Sequence, residues 1–536
     1  MVAADSERRL NGYHAARATS GTPNTRGLLL FHPYVINAAL RRRAVSSGLA
    51  LSAFGLTWGA FALPAAQAAG SPVLPPATPG PMPGGLLGPA VRSRPTVPVA
   101  VHHSASIAEL VGIGALILLS LALTAVAATT LSWMLHAWRT PKHLSGTRFN
   151  ELTRDTHLSF SLLVPARHEQ AVLGQTLDTL AAVNHPDVEV IAIIGHDDPE
   201  TELVAREAAA RHPDRVRVVI DHSVPKNKPK ALNTALKSCR GDIVGVFDAE
   251  DEVHPELIRH VDARFAETGA DVVQGGVQLM NAHTSWWTLR NCLEYYFWFR
   301  SRLHYHAARN FIPLGGNTVF TRTDLLREVK GWDPECLAED CEIGVRLSSR
   351  GAVVAVAYEP EVVTREETPG SIRSLVKQRT RWNQGFLQVL GKGEWRKLPT
   401  RSQRLLARYT LSMPFLQAMT GLLVPLSVAL MLFTSVPTGV VLITLLPIVP
   451  TIMTVAVEAA GYGEFCKLYG LKRRLRDYVY LVVGAVPYQL LLAFASIRAV
   501  VRQLRGDGSW EKTEHSNLHR IDTAGAQVDP RLELAS

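Results

Sequence analysis

Three stretches of this chain carry no charged side chain: residues 110–135, 409–457 and 478–497. Crossing lipid as a helix takes about 20 mostly apolar residues, and backbone inside lipid must satisfy its own hydrogen bonds. A chain with such runs is expected to be membrane-inserted, and its 47% hydrophobic and 19% charged residues agree. The longest run has room for two spans hinged at Thr434-Ser435-Val436-Pro437-Thr438-Gly439. The expected spans are therefore 110–135, then 409–433, 438–459 and 478–499. Residues 44–66 form one more apolar segment, between Arg41-Arg42-Arg43 and Ala65-Ala66-Gln67-Ala68-Ala69, a pattern shared with signal peptides. Residues 1–43 ahead of it, read as a basic, disordered N-terminus, favour an uncleaved first span. The Pro-rich stretch 71–98 reads as an extended linker between spans.

Lys and Arg concentrate at cytoplasmic membrane edges. Arg41 to Arg43 and Arg139 to Lys142 accordingly place the block 141–400 in the cytoplasm of a multi-pass cell-membrane protein. The last uncharged stretch does not close so simply. Lys467, Lys472, Arg473, Arg474 and Arg476 precede it, and Arg498, Arg502 and Arg505 follow it. Both flanks ask to be inside, so either the stretch, with Pro487 at its middle, is re-entrant or interfacial, or one flank breaks the rule. The tail 501–536 contains Trp510-Glu511-Lys512-Thr513, a gate over a site or an interfacial anchor. A net charge of +9, mostly near these edges, is accounted for by anionic lipid, and nucleic acid is not a needed partner. The five cysteines include no Cys-x-x-Cys pair, so reduced thiols are expected, without zinc or disulfides.

Within the charged block, Phe160-Ser161-Leu162-Leu163-Val164 is a short apolar run, and 188–194, 216–220 and 243–247 repeat it. Residues 172–183 and 230–238 between them have helical spacing. This β-α-β alternation predicts a mostly parallel, Rossmann-like α/β sheet inserted between the transmembrane helices. Ligands bind such sheets beyond the carboxyl ends of the strands, where Arg167-His168-Glu169, Asp197-Asp198 and Asp248 to Glu252 fall. No Gly-x-Gly-x-x-Gly or Walker loop follows a predicted strand, which excludes the usual dinucleotide and P-loop phosphate cradles. Bound phosphate must then be held by metal and cationic side chains.

Asp248 and Glu250 straddle one residue, with Asp251 next. A few hard oxygen donors suit Mg²⁺ or Mn²⁺ bridging substrate phosphates, although alone such a cluster is equally an acidic surface turn. Lys228 precedes a predicted helix, where cation and helix N-terminus together favour an anion. Glu339-Asp340 open another helix, Asp340 as a cap or as a functional acid. Gln378, Arg381 and Trp382 share one helical face, on what is otherwise a basic amphipathic helix at a membrane surface.

Taken in order and flanked by spans, Asp248-x-Glu250, Glu339-Asp340 and Gln378-x-x-Arg381-Trp382 resemble the motif set of family 2 glycosyltransferases. The likeness is to the membrane-bound synthases of cellulose, hyaluronan and poly-N-acetylglucosamine, over residues 155–395, and it implies a GT-A-like fold. By that resemblance Pro165, Arg167 and Glu169 lie against the nucleotide, and Lys228 near the uridine and phosphates. Asp248 and Glu250 fall on the family's Asp-x-Asp, whose second acid holds the metal. Asp340 matches the base, Glu339 the acid beside it at the acceptor, and Gln378, Arg381 and Trp382 the residues that close over diphosphate and acceptor sugar. Three departures stand out. The second metal acid is Glu, which shifts the ion or hands the ligand role to Asp251. Ala338 replaces a Thr before Glu339-Asp340. The uracil-contacting Asp aligns with Ile194 or Gly195, so Asp197 and Asp198 serve only if the loop shifts.

The implied activity is inverting, processive transfer from a UDP-sugar to a growing polysaccharide at the membrane, coupled to export, with accessory subunits allowed. The aromatic run 294–299 and Leu314-Gly315-Gly316-Asn317 would shape the acceptor side, although the aromatics serve equally as core or as a membrane-facing helix. The alternatives are a transferase adding one sugar to a membrane lipid and a noncatalytic glycan channel or scaffold.

Overall fold

A computed structural model describes residues 106–139, 156–433 and 437–511. The expectations for 1–43, 44–66, 71–98 and the tail beyond 511 lie outside the described residues, all of which belong to one unit, Val73–Ser536. In chain order the elements are α1 (Ile107–Met134), α2 (His136–Arg139), β1 (Phe160–Ala166), α3 (Leu173–Ala181), β2 (Val188–Gly195), α4 (Pro199–Arg211), β3 (Val216–Asp221), α5 (Lys228–Leu236), β4 (Ile243–Val246), α6 (Leu257–Thr268), β5 (Val272–Gly275) and β6 (Val277–Leu279). There follow α7 (Trp286–Phe297), a π-turn at Trp298–Arg302, α8 (Leu303–Ala307), β7 (Val319–Arg322), α9 (Thr323–Glu328), α10 (Glu339–Ser349), β8 (Val354–Ala357), β9 (Thr364–Glu366) and α11 (Ile372–Lys392). The last are α12 (Arg401–Phe433), α13 (Thr438–Thr444), α14 (Ile448–Leu468), α15 (Leu475–Val483) and α16 (Ala485–Leu504).

The main sheet has the order β3-β2-β1-β4-β7-β5-β8 and is parallel except at β7, which runs antiparallel to both neighbours. Strand alternation builds a core on each face. Leu162 and Val164 join the core under α3, α4 and α6, while Leu163 joins the one under α5 and α10. Pro165 fits a central strand because β4 pairs with β1 only as far as Leu163↔Val246. The missing N–H falls past the end of that ladder. The four strands and two helices expected from the sequence between 160 and 247 are all present. A small second sheet, β6 beside β9, extends this layer toward the helices.

Four helical stretches are long and apolar enough to cross a membrane, by length and composition: Glu109–Met134, Arg401–Ala429, Thr438–Leu468 and Ala485–Leu504. They flank the sheet domain on both sides in sequence. The expected span 438–459 is a bent pair, α13 and α14, interrupted before Pro447. The expected span 478–499 needs correction. It is divided at Gly484, where a Cβ would lie 2.4 Å from the Tyr480 carbonyl oxygen. Pro487 sits in the first turn of α16, where no partner is needed for an N–H. Contacts with α1 and α14 anchor α7 and the π-turn after it: Ser301 Oγ of the turn donates to the Trp133 carbonyl at 2.6 Å, Arg290 of α7 pairs with Glu458 at 2.9 Å, and Arg300 of the turn pairs with Glu464 at 2.6 Å.

Candidate active site

The turn after β4 carries Asp248 to Asp251. Asp248 is 37% exposed and takes a 2.5 Å hydrogen bond from Lys228 Nζ. Lys228 is the first residue of α5, a helix capped by Asn227. Its ammonium also donates to the Gly316 carbonyl at 2.8 Å. Burial opposes its charge, but Asp248, Glu339 and Asp340 around it raise its pKa above the ordinary lysine value. Gly316 explains the small residues of the 314–317 loop: a Cβ there would come within 3.1 Å of Asp340 Oδ2 and 3.8 Å of Lys228 Nζ. The loop therefore brings Lys228 and Asp340 to one space.

Asp251 does not join Asp248 at the cleft, as the sequence reading allowed. It is 1% exposed, its Oδ2 accepts from the Asp248 N–H at 2.8 Å, and Asn317 Nδ2 donates to it at 3.1 Å. Asn317 also donates to Glu366, at the end of β9. Burial and the Asp248 charge push Asp251 up to about 7, and burial with the Asp251 charge raises Glu366 as well. One amide holds the two acids, Asp251 buried and Glu366 half-buried. Asp248, Glu250 and Glu366 are each half-buried, and of this group Asp251 alone is fully buried.

Glu339 and Asp340 open α10. Burial and its charged neighbour push Glu339 up to about 7; burial also raises Asp340, against the Cys341 N–H bond and the Lys228 and Arg381 charges that favour the anion. The Asp340 side chain accepts the Cys341 N–H at 2.7 Å, and the N-cap position of α10 is Ala338, so Asp340 does not form an ordinary helix cap. Facing it on α11, Arg381 has its pKa lowered by burial against the pull of Glu339, Asp340 and Asp248. Gln378 is buried one turn earlier, with Oε1 unpaired among the described residues. The Arg379 guanidinium lies 4.9 Å from the Trp382 ring centroid, and the Tyr295 ring is at 6.4 Å, tilted by 39°.

The remaining predicted residues form a separate rim at the ends of β1 and β2. Arg167 and Asp197 make a half-exposed ion pair at 3.1 Å. The Glu169 N–H donates to Thr201 Oγ1 at 3.2 Å, and Pro165 is half-buried at the strand end. Asp198 is occupied by structure: it is 3% exposed, caps α4 through the Thr201 N–H and accepts the His168 N–H at 2.6 Å. Burial opposes its charge, yet these bonds hold it below the usual carboxylate range. Of the Asp197-Asp198 pair, Asp197 is exposed and Asp198 is not.

Residues 157–385 match the family model described as glycosyltransferase-like family 2. The chain carries a family 2 glycosyltransferase domain. β-Monoglucosyldiacylglycerol synthase of Synechocystis sp. is 28% identical over 233 residues, 42% of this chain and 47% of that protein. Poly-β-1,6-N-acetyl-D-glucosamine synthase of Staphylococcus epidermidis is 22% identical over 254 residues, 46% of this chain and 58% of that protein. The chain spans about half the length of the curated relatives it matches. Among solved structures, a mannosyltransferase from Pyrobaculum calidifontis in complex with GDP-Man and Mn²⁺ aligns with a TM-score of 0.47 at 18% identity, over 73% of this chain and 99% of that one.

Two features of the transferase domain escaped the sequence reading, whereas the tail around Trp510 was named there as a gate or an anchor. The Asn317–Glu366 partnership with Asp251 joins three distant segments, and only an acid at a strand end hinted at it. Arg379, read as part of a basic surface, instead binds both Glu294 oxygens at 2.8 Å and also reaches Asn291. Tyr488 of α16 donates to the same carboxylate at 2.9 Å. Trp510 lays its ring 4.1 Å from the Arg381 guanidinium carbon, and Glu511 beside it is clamped by Arg498 and Arg502 at 2.6 and 2.8 Å.

Proposed function

We propose that this transferase moves a sugar from a UDP-sugar to a hydroxyl of a growing glycan in one inverting step, processively, at the cytoplasmic face of the cell membrane. The observation that carries the reading is the grouping of Asp340, with its raised pKa, the cations Lys228 and Arg381, and the fixed aromatic face of Trp382. Asp340 takes the acceptor proton as the new carbon–oxygen bond forms; its raised pKa makes it a better base than a solvated Asp. Lys228 and Arg381 stabilise the charge that grows on the diphosphate as it leaves, in a setting where most of their water has been removed. Trp382, held by Arg379 and Tyr295, offers a flat surface for the C–H face of an acceptor sugar. Gln378 supports the same helix face, Glu339 flanks the base, and Arg167, Glu169 and Asp197 border the nucleotide end.

Among the described residues no group of three or more His, Cys, Asp or Glu side chains is arranged to hold a metal ion. Asp248 and Glu250 offer hard oxygen donors and would hold Mg²⁺ or Mn²⁺. Such an ion supplies charge neutralisation for the leaving diphosphate. Glu250, rather than the inward-turned Asp251, is assigned as its main protein ligand.

A second reading, transfer of one sugar to a membrane lipid, is favoured by the higher identity to the glucosyldiacylglycerol synthase than to the poly-N-acetylglucosamine synthase. Incubating membranes that contain the full chain with radiolabelled UDP-glucose, UDP-N-acetylglucosamine or UDP-glucuronate tests both. Label retained in an aqueous or precipitated polymer supports the first, label in solvent-extractable lipid supports the second, and no UDP release with either metal removes both.

A further inference from the structure

Arg302 ends the π-turn after α7, and among the described residues its guanidinium makes no hydrogen bond or ion pair; its Nε is buried without an acceptor. Two indoles stand where an anion is expected: the guanidinium carbon lies 4.1 Å from the Trp133 ring centroid and 4.6 Å from that of Trp298. Ring contacts attract the cation but leave its N–H donors unused. Glu294, the carboxylate whose field reaches it, is already bound by Arg379 and Tyr488. Burial lowers the Arg302 pKa to about 10, so the group is still charged at neutral pH. A cation that has given up water without gaining an anion is costly.

Its surroundings add positive charge instead of removing it. The Arg309 guanidinium lies 3.5 Å from the centroid of Tyr305, a ring that packs on Trp133 at 5.9 Å. His306 is fully buried 5.5 Å from the same indole, and neither of its ring nitrogens has a partner among the described residues. Burial, with the Arg302 and Arg309 charges, holds that ring well below the usual histidine range.

The cage stands at a membrane edge. Trp133 belongs to the last turn of α1, and Tyr409, 5.6 Å from it, to α12. α1 packs chiefly on α13 and α14, and α12 on α11 and α16, so these two rings mark where two groups of helices meet. On α12, Arg401, Arg408, Phe415, Met419 and Leu422 are exposed at steps of seven, seven, four and three residues. They make one face, with cations at its start and apolar side chains beyond. A lipid has the same order, charged headgroup and then chain.

We propose that Arg302, in its cage of Trp133, Trp298, Tyr305 and His306, binds the phosphate of a membrane phospholipid whose chains lie along α12 at its join with α1. The guanidinium offers paired N–H donors that match phosphodiester oxygens. The ligand is neither sugar donor nor acceptor, so the site goes beyond the sugar-transfer reading and does not depend on it.

The test uses the full chain in detergent, stripped of lipid and titrated with phosphatidylglycerol or with diacylglycerol of the same chains, the bound lipid being counted by native mass spectrometry. One phosphatidylglycerol is expected to bind in preference to diacylglycerol. Arg302→Gln should weaken that binding by roughly tenfold or more, as loss of a charge-assisted hydrogen bond implies. Lys472→Gln, an equal loss of charge at another basic stretch, should stay within about twofold. Equal binding of the two lipids, or unchanged affinity in Arg302→Gln, overturns the proposal. Displacement of the lipid by an equal concentration of inorganic phosphate overturns the lipid as the source of the anion. The wild-type chain gives a second reading that no variant's folding affects: phosphatidylglycerol with a photoreactive headgroup should label peptides containing Trp133 or residues 298–309, and labelling confined elsewhere overturns the site. Neither readout needs catalysis, so lipid binding without sugar transfer would fail the functional reading alone.

Discussion

At the level of single residues, the acidic turn after β4 divides its labour by burial. Asp251 is buried beneath the turn and shares one amide with the half-buried Glu366, whereas Glu250 is half-buried on the turn itself. Glu250→Gln is expected to raise the Mn²⁺ or Mg²⁺ concentration for half-maximal activity by about tenfold or more with little change in thermal midpoint, as loss of one charged oxygen ligand implies. Asp251→Asn is expected to leave the metal requirement within about twofold of wild type. The checking measurement is metal titration of UDP release, and a larger metal shift in Asp251→Asn would reverse the assignment. A second residue-level expectation concerns acid. Asp198, Asp221 and Glu189 are each buried against their own charge, yet hydrogen bonds and cations hold them below their ordinary values. A carboxyl lowered in the fold contributes stability that is fully present above its unfolded value, about 4, and lost as pH falls through the folded one. The thermal midpoint should therefore fall below about pH 4, and Asp198→Asn, which keeps a capping oxygen, should flatten that fall. An unchanged acid slope in Asp198→Asn would remove Asp198 from this role.

The helices that frame the cleft are set by close approaches. α11 crosses the start of α10 at Gly385, where a Cβ would lie 2.3 Å from Ala338 Cβ and 2.6 Å from its backbone nitrogen. That contact sits immediately before Glu339 and Asp340. Gly385→Ala is expected to push Arg381 and Asp340 apart and lower turnover by roughly a hundredfold, since a displacement near 1 Å has that effect in an aligned site. Gly391→Ala on the same helix, with open space around it, is the control and should be neutral or stabilise by up to about 1 kcal/mol. Steady-state kinetics and a melting curve for the two variants separate a packing effect from a helix-propensity effect.

The elements differ in how plainly the sequence announced them. β1, β2 and β4 were legible because parallel strands buried on both faces read as near-continuous apolar runs, and the half-exposed edge strand β3 because its Val and Ile residues still dominate. The antiparallel insertion of β7 between β4 and β5 was not, because pairing direction leaves no mark on one strand's composition. The break at Gly484 was hidden inside an uncharged stretch, where a steric requirement of one backbone oxygen decides the geometry. Lys228, Asp340, Arg381 and Trp382 were legible as a motif set. Their supports, Asn317, Glu366, Glu294 and Arg379, were not, since each acquires its role only through a distant partner.

For the whole molecule, ion pairs join α7 to α14, and Tyr488 joins α16 to the Glu294–Arg379 pair that carries Trp382. These contacts connect the long apolar helices to the residues around Trp382. Arg379→Lys is expected to lose most activity despite keeping the charge, because an ammonium cannot bind both Glu294 oxygens and lie along the Trp382 ring. Donor binding, read as UDP affinity, should remain within about threefold.

The most direct test of the sugar-transfer reading compares wild type with Asp340→Asn as full chains reconstituted in bilayers, following UDP release and labelled product from UDP-sugars with Mg²⁺ or Mn²⁺. Wild type should release UDP and form membrane-retained product, while Asp340→Asn should bind UDP normally and fall by about two to four orders of magnitude in transfer. Transfer by Asp340→Asn at the wild-type rate would contradict Asp340 as the base and the cleft around it as the place of reaction.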